Sequence, residues 1–439
     1  MFLQQRISKF YPAQFYGTGA SLLGTTQKWP IDRTWPIEEI LLTVDFQVTT
    51  ALGLYPATAQ SPDQFDNILQ LIQHVNLTVN DGKQPRSVVD SSGIGLLEYA
   101  QLSGFNLDQA TLNLAAQTGL LINNTPGTLA QWGVVANPAN LQIGCYRITY
   151  RIPCAPVWVG DPLRSRMYLP VHTYPQDPVL TLNFQSLANI ASAGAIGQLG
   201  VTVALIRRVP TAASEAALQK NPGTNPNGYI DWDLIETPFS VAPGVGTEQR
   251  LPLPIPGQYL DLAFRQYLGG ANVTRQPIDA TGTGATVAGG FGNEQRWRIE
   301  TGLVVLREWR WKDLQILNDF SRPISPAYLN LALSSGTVSQ TNLNVGNLGS
   351  PAIASAAGTG NSSNFRHPVS VMLNFGSDGL SGDTVNELGS LLDCNTPANN
   401  GLKMEIIGTP LSVVTNASYL YVIGRRFFGD LSKWQKFSS

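Results

Sequence analysis

The chain has 439 residues, of which 43% are apolar and 13% charged, with 42 glycines and 29 prolines; the usual charged share is ~25%. That length holds two or three domains and a sizeable core, which excludes a mini-protein stapled by disulfides or a metal. A formal net charge of −2 excludes a protein built to neutralise many phosphates, so no sequence-specific nucleic-acid partner is expected.

In chain order, residues 1–30 read as an N-terminal arm, and Met1–Arg6 lacks the apolar run of a secretory signal, so synthesis and folding in a cytoplasm are the expectation. From Ile40 the pattern turns to period two. Ile40, Leu42, Val44, Phe46 and Val48 share one side, and Leu41, Thr43, Asp45 and Gln47 the other, as in a strand with one buried face. Ser61-Pro62-Asp63-Gln64 has the spacing of a capped helix start, with Phe65, Ile68 and Leu69 as its apolar stripe. A strand from Leu71 to Val79 then runs into Asn80-Asp81-Gly82, whose Asp-Gly pair suits a tight hairpin. A second helix is expected over Ile94 to Leu102. Alternation resumes at Tyr146 to Ile152, Leu180 to Phe184, Trp297 to Val305, Val369 to Phe375, Leu402 to Ile406 and Tyr419 to Ile423. Many short strands and few helices predict an all-β sandwich or barrel. Ala191 to Ile206 is apolar but too short and interrupted to span a bilayer as a helix.

Two blocks of near-equal length are visible. One opens at Ile37 and closes on a strand ending in Arg207-Arg208-Val209; the other opens at Leu253 and closes on a strand ending in Arg425-Arg426-Phe427. This predicts a duplicated module divided as 31–225 and 226–439, with the turn-rich Asn221 to Gly228 at the division. Residues 269–292 and 345–364 are rich in small residues and read as long surface loops.

No catalytic, metal or cofactor constellation is spelled out. Cys145, Cys154 and Cys394 form no C-x-x-C, and His74, His172 and His367 fall in no metal-binding spacing. Asp231, Asp233 and Glu236 could serve a glycosidase if they converged, although a solvated strand edge accounts for them. Gly376 to Asp383 lacks the full calcium-loop spacing. Trp309 and Trp311 could stack on sugars, but they fit one face of a sheet more simply. The sequons at Asn76, Asn123, Asn272, Asn361 and Asn416 read as chance in an Asn/Thr-rich chain.

Arg33-Thr34-Trp35-Pro36, the long first strand to Val48, the short Pro-started helix and the strand ending in Asn80-Asp81-Gly82 together resemble the opening of a family. That family is the double jelly-roll major capsid proteins of tailless icosahedral double-stranded DNA viruses with an internal membrane. The resemblance implies an all-β chain of two tandem eight-stranded jelly rolls with few short helices and long loops. It also implies a non-enzymatic, cofactor-free subunit of the virion that forms a homotrimer of pseudo-hexagonal outline. Its implied partners are neighbouring capsomers, minor capsid or penton proteins, and the internal membrane. A carbohydrate- or receptor-binding sandwich, or a glycan-cleaving hydrolase, is the alternative.

Both ends of the chain are basic and aromatic. Arg6 and Lys9 at the start, and Lys433, Trp434 and Lys436 at the end, suit an anionic membrane surface and are expected to form a membrane-facing base.

Overall fold

Alternating residues make strands wherever one face can be buried, and the first long strand sets the pattern for the rest. The computed structural model describes residues 5–55, 59–82, 84–103, 140–141, 143–156, 159, 161–220, 227–241, 249–268, 273, 294–302, 304–309, 332–334, 337–339, 370–375, 391–395, 403–410 and 418–428. The first roll contains β1 (Gln5–Thr18), β2 (Thr26–Pro30), β3 (Ile37–Leu54), β4 (Ile72–Asn80), β5 (Pro85–Ser92), β6 (Asn140–Leu141), β7 (Gly144–Pro153), β8 (Val179–Phe184) and β9 (Ala191–Val209). The second contains β10 (Trp232–Val241), β11 (Gln249–Pro252), β12 (Gln258–Leu268), β13 (Glu294–Thr301), β14 (Val304–Trp309), β15 (Ala332–Ser334), β16 (Thr337–Ser339), β17 (Ser370–Asn374), β18 (Leu392–Asp393), β19 (Met404–Pro410) and β20 (Ser418–Phe427).

Ile40, Leu42, Val44, Phe46 and Val48 are all buried on β3. They meet Ile152, Tyr150, Ile148 and Tyr146 of antiparallel β7, with Phe46 stacked on Tyr146 at 5.4 Å. On the opposite face Asp45 pairs with Arg147 at 2.6 Å, Thr43 with Thr149, and Glu39 with Arg151 at 2.5 Å. One strand thus carries an apolar ladder inward and a polar ladder outward. β9 pairs with the other edge of β3 and with β1, while β6 and β7 lie end to end along β3, giving a sheet four strands wide.

The facing sheet of the first roll is β2-β8-β4-β5. β4 and β5 form the expected hairpin: Gly82 takes φ +92°, and its N–H donates to the Asn80 side chain. Before it, Ser61 caps the short Pro62–Asp66 helix. The stretch read as an arm, residues 1–30, contributes β1 to one sheet and β2 to the other. Among the described residues both are edge strands, paired on one side only.

The second roll repeats the plan with β17-β12-β20-β10, where β18 extends β17 along β12, facing β11-β19-β13-β14. Two sandwiches, each of two sheets four strands wide, are the double jelly roll. β15 and β16 form a separate hairpin.

The two rolls are joined through their sheets. β10 pairs in parallel with β5, Leu234 opposite Val89 and Ile235 opposite Asp90, so β17-β12-β20-β10 and β5-β4-β8-β2 form one continuous sheet. The apolar core of the first roll extends across this seam to take in Trp232, Leu234, Leu260, Ala263, Ile423 and Phe427. A second core, around Leu262, Phe264, Trp297, Ile299, Met404, Ile406 and Val422, fills the second sandwich. Trp309 belongs there, packed on Phe264; Trp311 lies outside the described residues, as do His367, residues 376–383 and the loops 274–292 and 345–364. Among the described residues no helix is long and apolar enough to cross a membrane.

Candidate functional site

The strands of the second roll's inner sheet alternate between two buried faces. On β20, Leu420 and Val422 point into the second core, while Tyr421, Ile423, Arg425 and Phe427 point toward the first roll; on β12, Asp261, Ala263, Arg265 and Tyr267 do the same. That second face would be solvated in an isolated roll. Here it is covered by the Gly93–Leu102 helix, which follows β5 directly and packs against β4 and β7 on one side and β12, β17 and β20 on the other. Ile94, Leu96, Leu97, Tyr99, Ala100 and Leu102 are all buried, and so is Glu98. A helix apolar around its whole circumference is one enclosed on every side.

Two polar clusters fill this joint. In the first, Glu236 of β10 accepts the Arg265 Nη2 donor at 2.5 Å, the Ser92 backbone N–H at 2.7 Å and the Ser91 hydroxyl at 3.1 Å. Glu236 can come so close to the helix start because position 95 is glycine: a Cβ there would stand 2.7 Å from its carboxylate. Arg265 lies 3.9 Å from Glu98 and over the Tyr421 ring at 4.5 Å. Burial opposes its charge, and Glu236, Tyr267 and Glu98 outweigh burial. The Tyr267 hydroxyl donates to Asp66 of the first roll.

In the second cluster Arg425, fully buried, reaches from β20 into the first roll. Its Nη groups donate to the carbonyls of Pro153 and Cys154 and its Nε to the Tyr99 hydroxyl oxygen at 3.0 Å, while the guanidinium lies 4.5 Å over the Trp232 ring. Tyr99 in turn donates to Asp261 at 2.8 Å, and burial pushes the Asp261 carboxyl up to about 6. At the rim Arg426 holds Asp233 at 2.6 Å, and Arg86 lies 3.5 Å from Asp231 and donates to the Trp232 carbonyl.

These contacts correct one sequence-based reading. Asp233 and Glu236 are not on a solvated edge: both are buried and ion-paired. They also do not converge, since they sit three residues apart on an unbroken strand and so on opposite faces, one toward each core. His74 pairs with Asp90 at 2.7 Å on the partly exposed face of the β4–β5 hairpin, and this hydrogen bond raises its pKa. Cys154 and Cys394 are buried thiols pushed up to about 12 by burial, and Cys145 is half-buried. No group of His, Cys, Asp and Glu with metal-binding geometry occurs among the described residues. Of the sequons, Asn76 lies on β4 and donates to Ser87 at 2.9 Å.

A relay of contacts runs from the first described strand to the last. Gln5 pairs with Val209; the adjoining Arg208 binds Glu38 at 2.7 Å; Glu38 accepts from the Cys154 N–H; and the Cys154 carbonyl receives Arg425. Phe428, three residues on, donates its N–H to the Asp231 carbonyl and lies under Arg426 and Arg86. Arg6 and Lys9 are on β1, whereas Lys433, Trp434 and Lys436 lie outside the described residues.

No protein-family model matches the sequence, and a search of curated proteins found no match. In structure the chain is similar to the STIV MCP, with a TM-score of 0.54 at 13% identity over 99% of both chains. It is similar to a chain in the atomic structure of Sulfolobus Turreted Icosahedral Virus, with a TM-score of 0.50 at 12% identity over 96% of this chain and 90% of that one. The Faustovirus major capsid protein also gives 0.50, at 9% identity over 98% and 90%. These neighbours are double jelly-roll major capsid proteins, and the fold shared with them runs the length of the chain.

Proposed function

We propose that the chain is the major shell subunit of an icosahedral virus, a structural protein of the virion and not an enzyme. The observation that carries this reading is the joint, taken with the full-length fold. One continuous sheet, one shared core and two buried ionic clusters fix the rolls to each other, which is what a shell tile needs and what an independent pair of binding modules would not need. The hydrolase alternative is disfavoured, since Asp233 and Glu236 are each committed to an arginine on opposite faces of β10 and Asp231 lies 3.5 Å from Arg86. In this reading the division between rolls falls at residues 225 and 226. Three copies associate into a capsomer of pseudo-hexagonal outline, which meets neighbouring capsomers and minor or penton proteins. Light scattering of the purified chain should give three times its 47.4 kDa mass, with pseudo-hexagonal particles in negative stain. A monomer at micromolar concentration overturns the reading.

The shell would enclose a membrane, and the face that carries the two chain ends would be its base. What supports this reading is the composition of the two ends, where basic and aromatic residues alternate in a pattern suited to an anionic surface. Trimers with Arg6, Lys9, Lys433 and Lys436 changed to Gln should stay assembled and lose binding to anionic liposomes, at roughly 1 kcal/mol per charge. Unchanged binding rejects a base made by these residues.

A further inference from the structure

The joint contains one carboxylate whose charge is weakly met. Asp261 is fully buried, and among the described residues its oxygens receive the Tyr99 hydroxyl, at 2.9 and 2.8 Å, and the backbone N–H of Arg425, at 3.2 Å. Both donors are neutral. The Arg425 guanidinium is near, but its N–H groups are directed at Pro153, Cys154 and the Tyr99 oxygen. The other acids of the joint differ in this respect: Asp233 has Arg426 at 2.6 Å and Glu236 has Arg265 at 2.5 Å. Among the described residues, the elements around Asp261 bring no cation nearer than Arg425. The helix supplies Tyr99, β20 supplies Arg425, and β17 sets the neutral Asn374 opposite in register. On β10, burial raises Asp233 as well, offset in part by Arg426, Arg86 and Arg425, so it adds a term of the same sign that Asp261→Asn would leave in place.

We propose that Asp261 makes the joint between the two rolls an acid-strengthened clasp: it takes up a proton as the rolls close on each other, so the subunit holds together more firmly in mildly acidic solution than at alkaline pH. The hydrogen-bond geometry accommodates either state. Ionised, Asp261 accepts from Tyr99; protonated, one of its oxygens donates to the Tyr99 oxygen or continues to accept from it. Burial is the main influence on Asp261, and Arg425 and the Tyr99 bond offset it only in part, leaving the group at about 6 against 3.8 when unfolded. An acid whose folded value lies above its unfolded one binds more protons when folded. Its contribution is therefore complete below the unfolded value and lost as pH rises through the folded one. The difference corresponds to roughly fiftyfold in the folding equilibrium constant between pH ~4 and ~7. His74, raised by Asp90, adds a term of the same sign at higher pH, and His172, lowered by burial, one of opposite sign.

The test is urea denaturation of the full chain between pH 4 and 8. Asp261→Asn should remove a tens-of-fold share of the acid-side gain, and His74→Gln should leave that share in place. An Asp261→Asn chain with the full wild-type pH dependence overturns the proposal. If that variant does not fold, infrared spectra of the wild type with carboxyl-labelled aspartate decide. A buried aspartic-acid band that disappears with a midpoint near 6 supports the clasp, and aspartates that are all ionised at pH 5 overturn it.

Discussion

The strands that close the two rolls end alike, in Arg207-Arg208 on β9 and Arg425-Arg426 on β20, and the two arginine pairs are put to different use. In each pair the first guanidinium is buried and the second bridges a carboxylate: Arg208 binds Glu38 at 2.7 Å and Arg426 binds Asp233 at 2.6 Å. Arg207 stays within its own roll, donating to the Trp35 carbonyl at 2.7 Å and to Asp32 at 2.9 Å. Arg425 crosses to the other roll. A device that ties down the strand end in the first module has become, in the second, a bolt between modules. The nearest carboxylate differs accordingly: Asp32 takes a direct bond from Arg207 and is one-third exposed, whereas Asp261 takes none from the Arg425 guanidinium and is sealed.

That contrast can be broken most severely at the bolt. Arg425→Ala removes the donors to Pro153 and Cys154 and leaves Asp261 without its nearest cation in a dry site. The expected cost is about 3–5 kcal/mol by urea denaturation at neutral pH, with faster amide exchange in both rolls. Arg207→Ala should cost less, about 1.5–3 kcal/mol, because Asp32 can turn to water, and the exchange change should stay in the first roll. Equal losses, or the same exchange footprint for both, would show that the two sites do not differ in kind. Glu236→Gln sharpens the comparison from the other cluster. It keeps the Ser92 N–H bond and deprives Arg265 of its closest charge, for an expected loss of about 1–3 kcal/mol by the same measurement. The smallest effect is expected on the outer face of the first roll. Arg147 and Asp45 are each at least 40% exposed, so Arg147→Ala should cost about 0.2–1 kcal/mol, and less in high salt.

How much of this was legible depended on which face a residue took. β3, β4, β7 and β8 were plain in the sequence because one face meets a core and the other meets water or an outward ladder, so polarity and burial coincide. On β12 and β20 they do not coincide. Asp261, Arg265 and Arg425 have the side chains of a solvated face and are buried, because the face they occupy is closed by a helix more than 150 residues away in the chain. Nothing local in a single sequence pairs Tyr99 with Asp261, or Glu98 with Arg265. Two signals did point there. The repeated strand-Arg-Arg ending marked equivalent positions, and the Ile94–Leu102 segment, apolar all round with a single acid, was a helix without a wet side. The acidic cluster could also have been read more closely, since Asp233 and Glu236 differ in parity and a strand separates such residues to opposite faces.

The parallel pairing of β10 with β5 has a consequence for how the subunit is made. Residues 85–92 leave the ribosome well before residues 232–241, so a first roll that folds promptly does so with one edge of β5 unpaired. An open edge is a template for any passing strand, including β5 of another nascent copy, and a long-range parallel pair is slow to close. The second roll is then the intended cover for that edge. A chain halted before Trp232 would be exposed to edge-to-edge association while its core still lacks the residues that the second roll contributes, and the yield of sound subunits would depend on how quickly translation delivers β10.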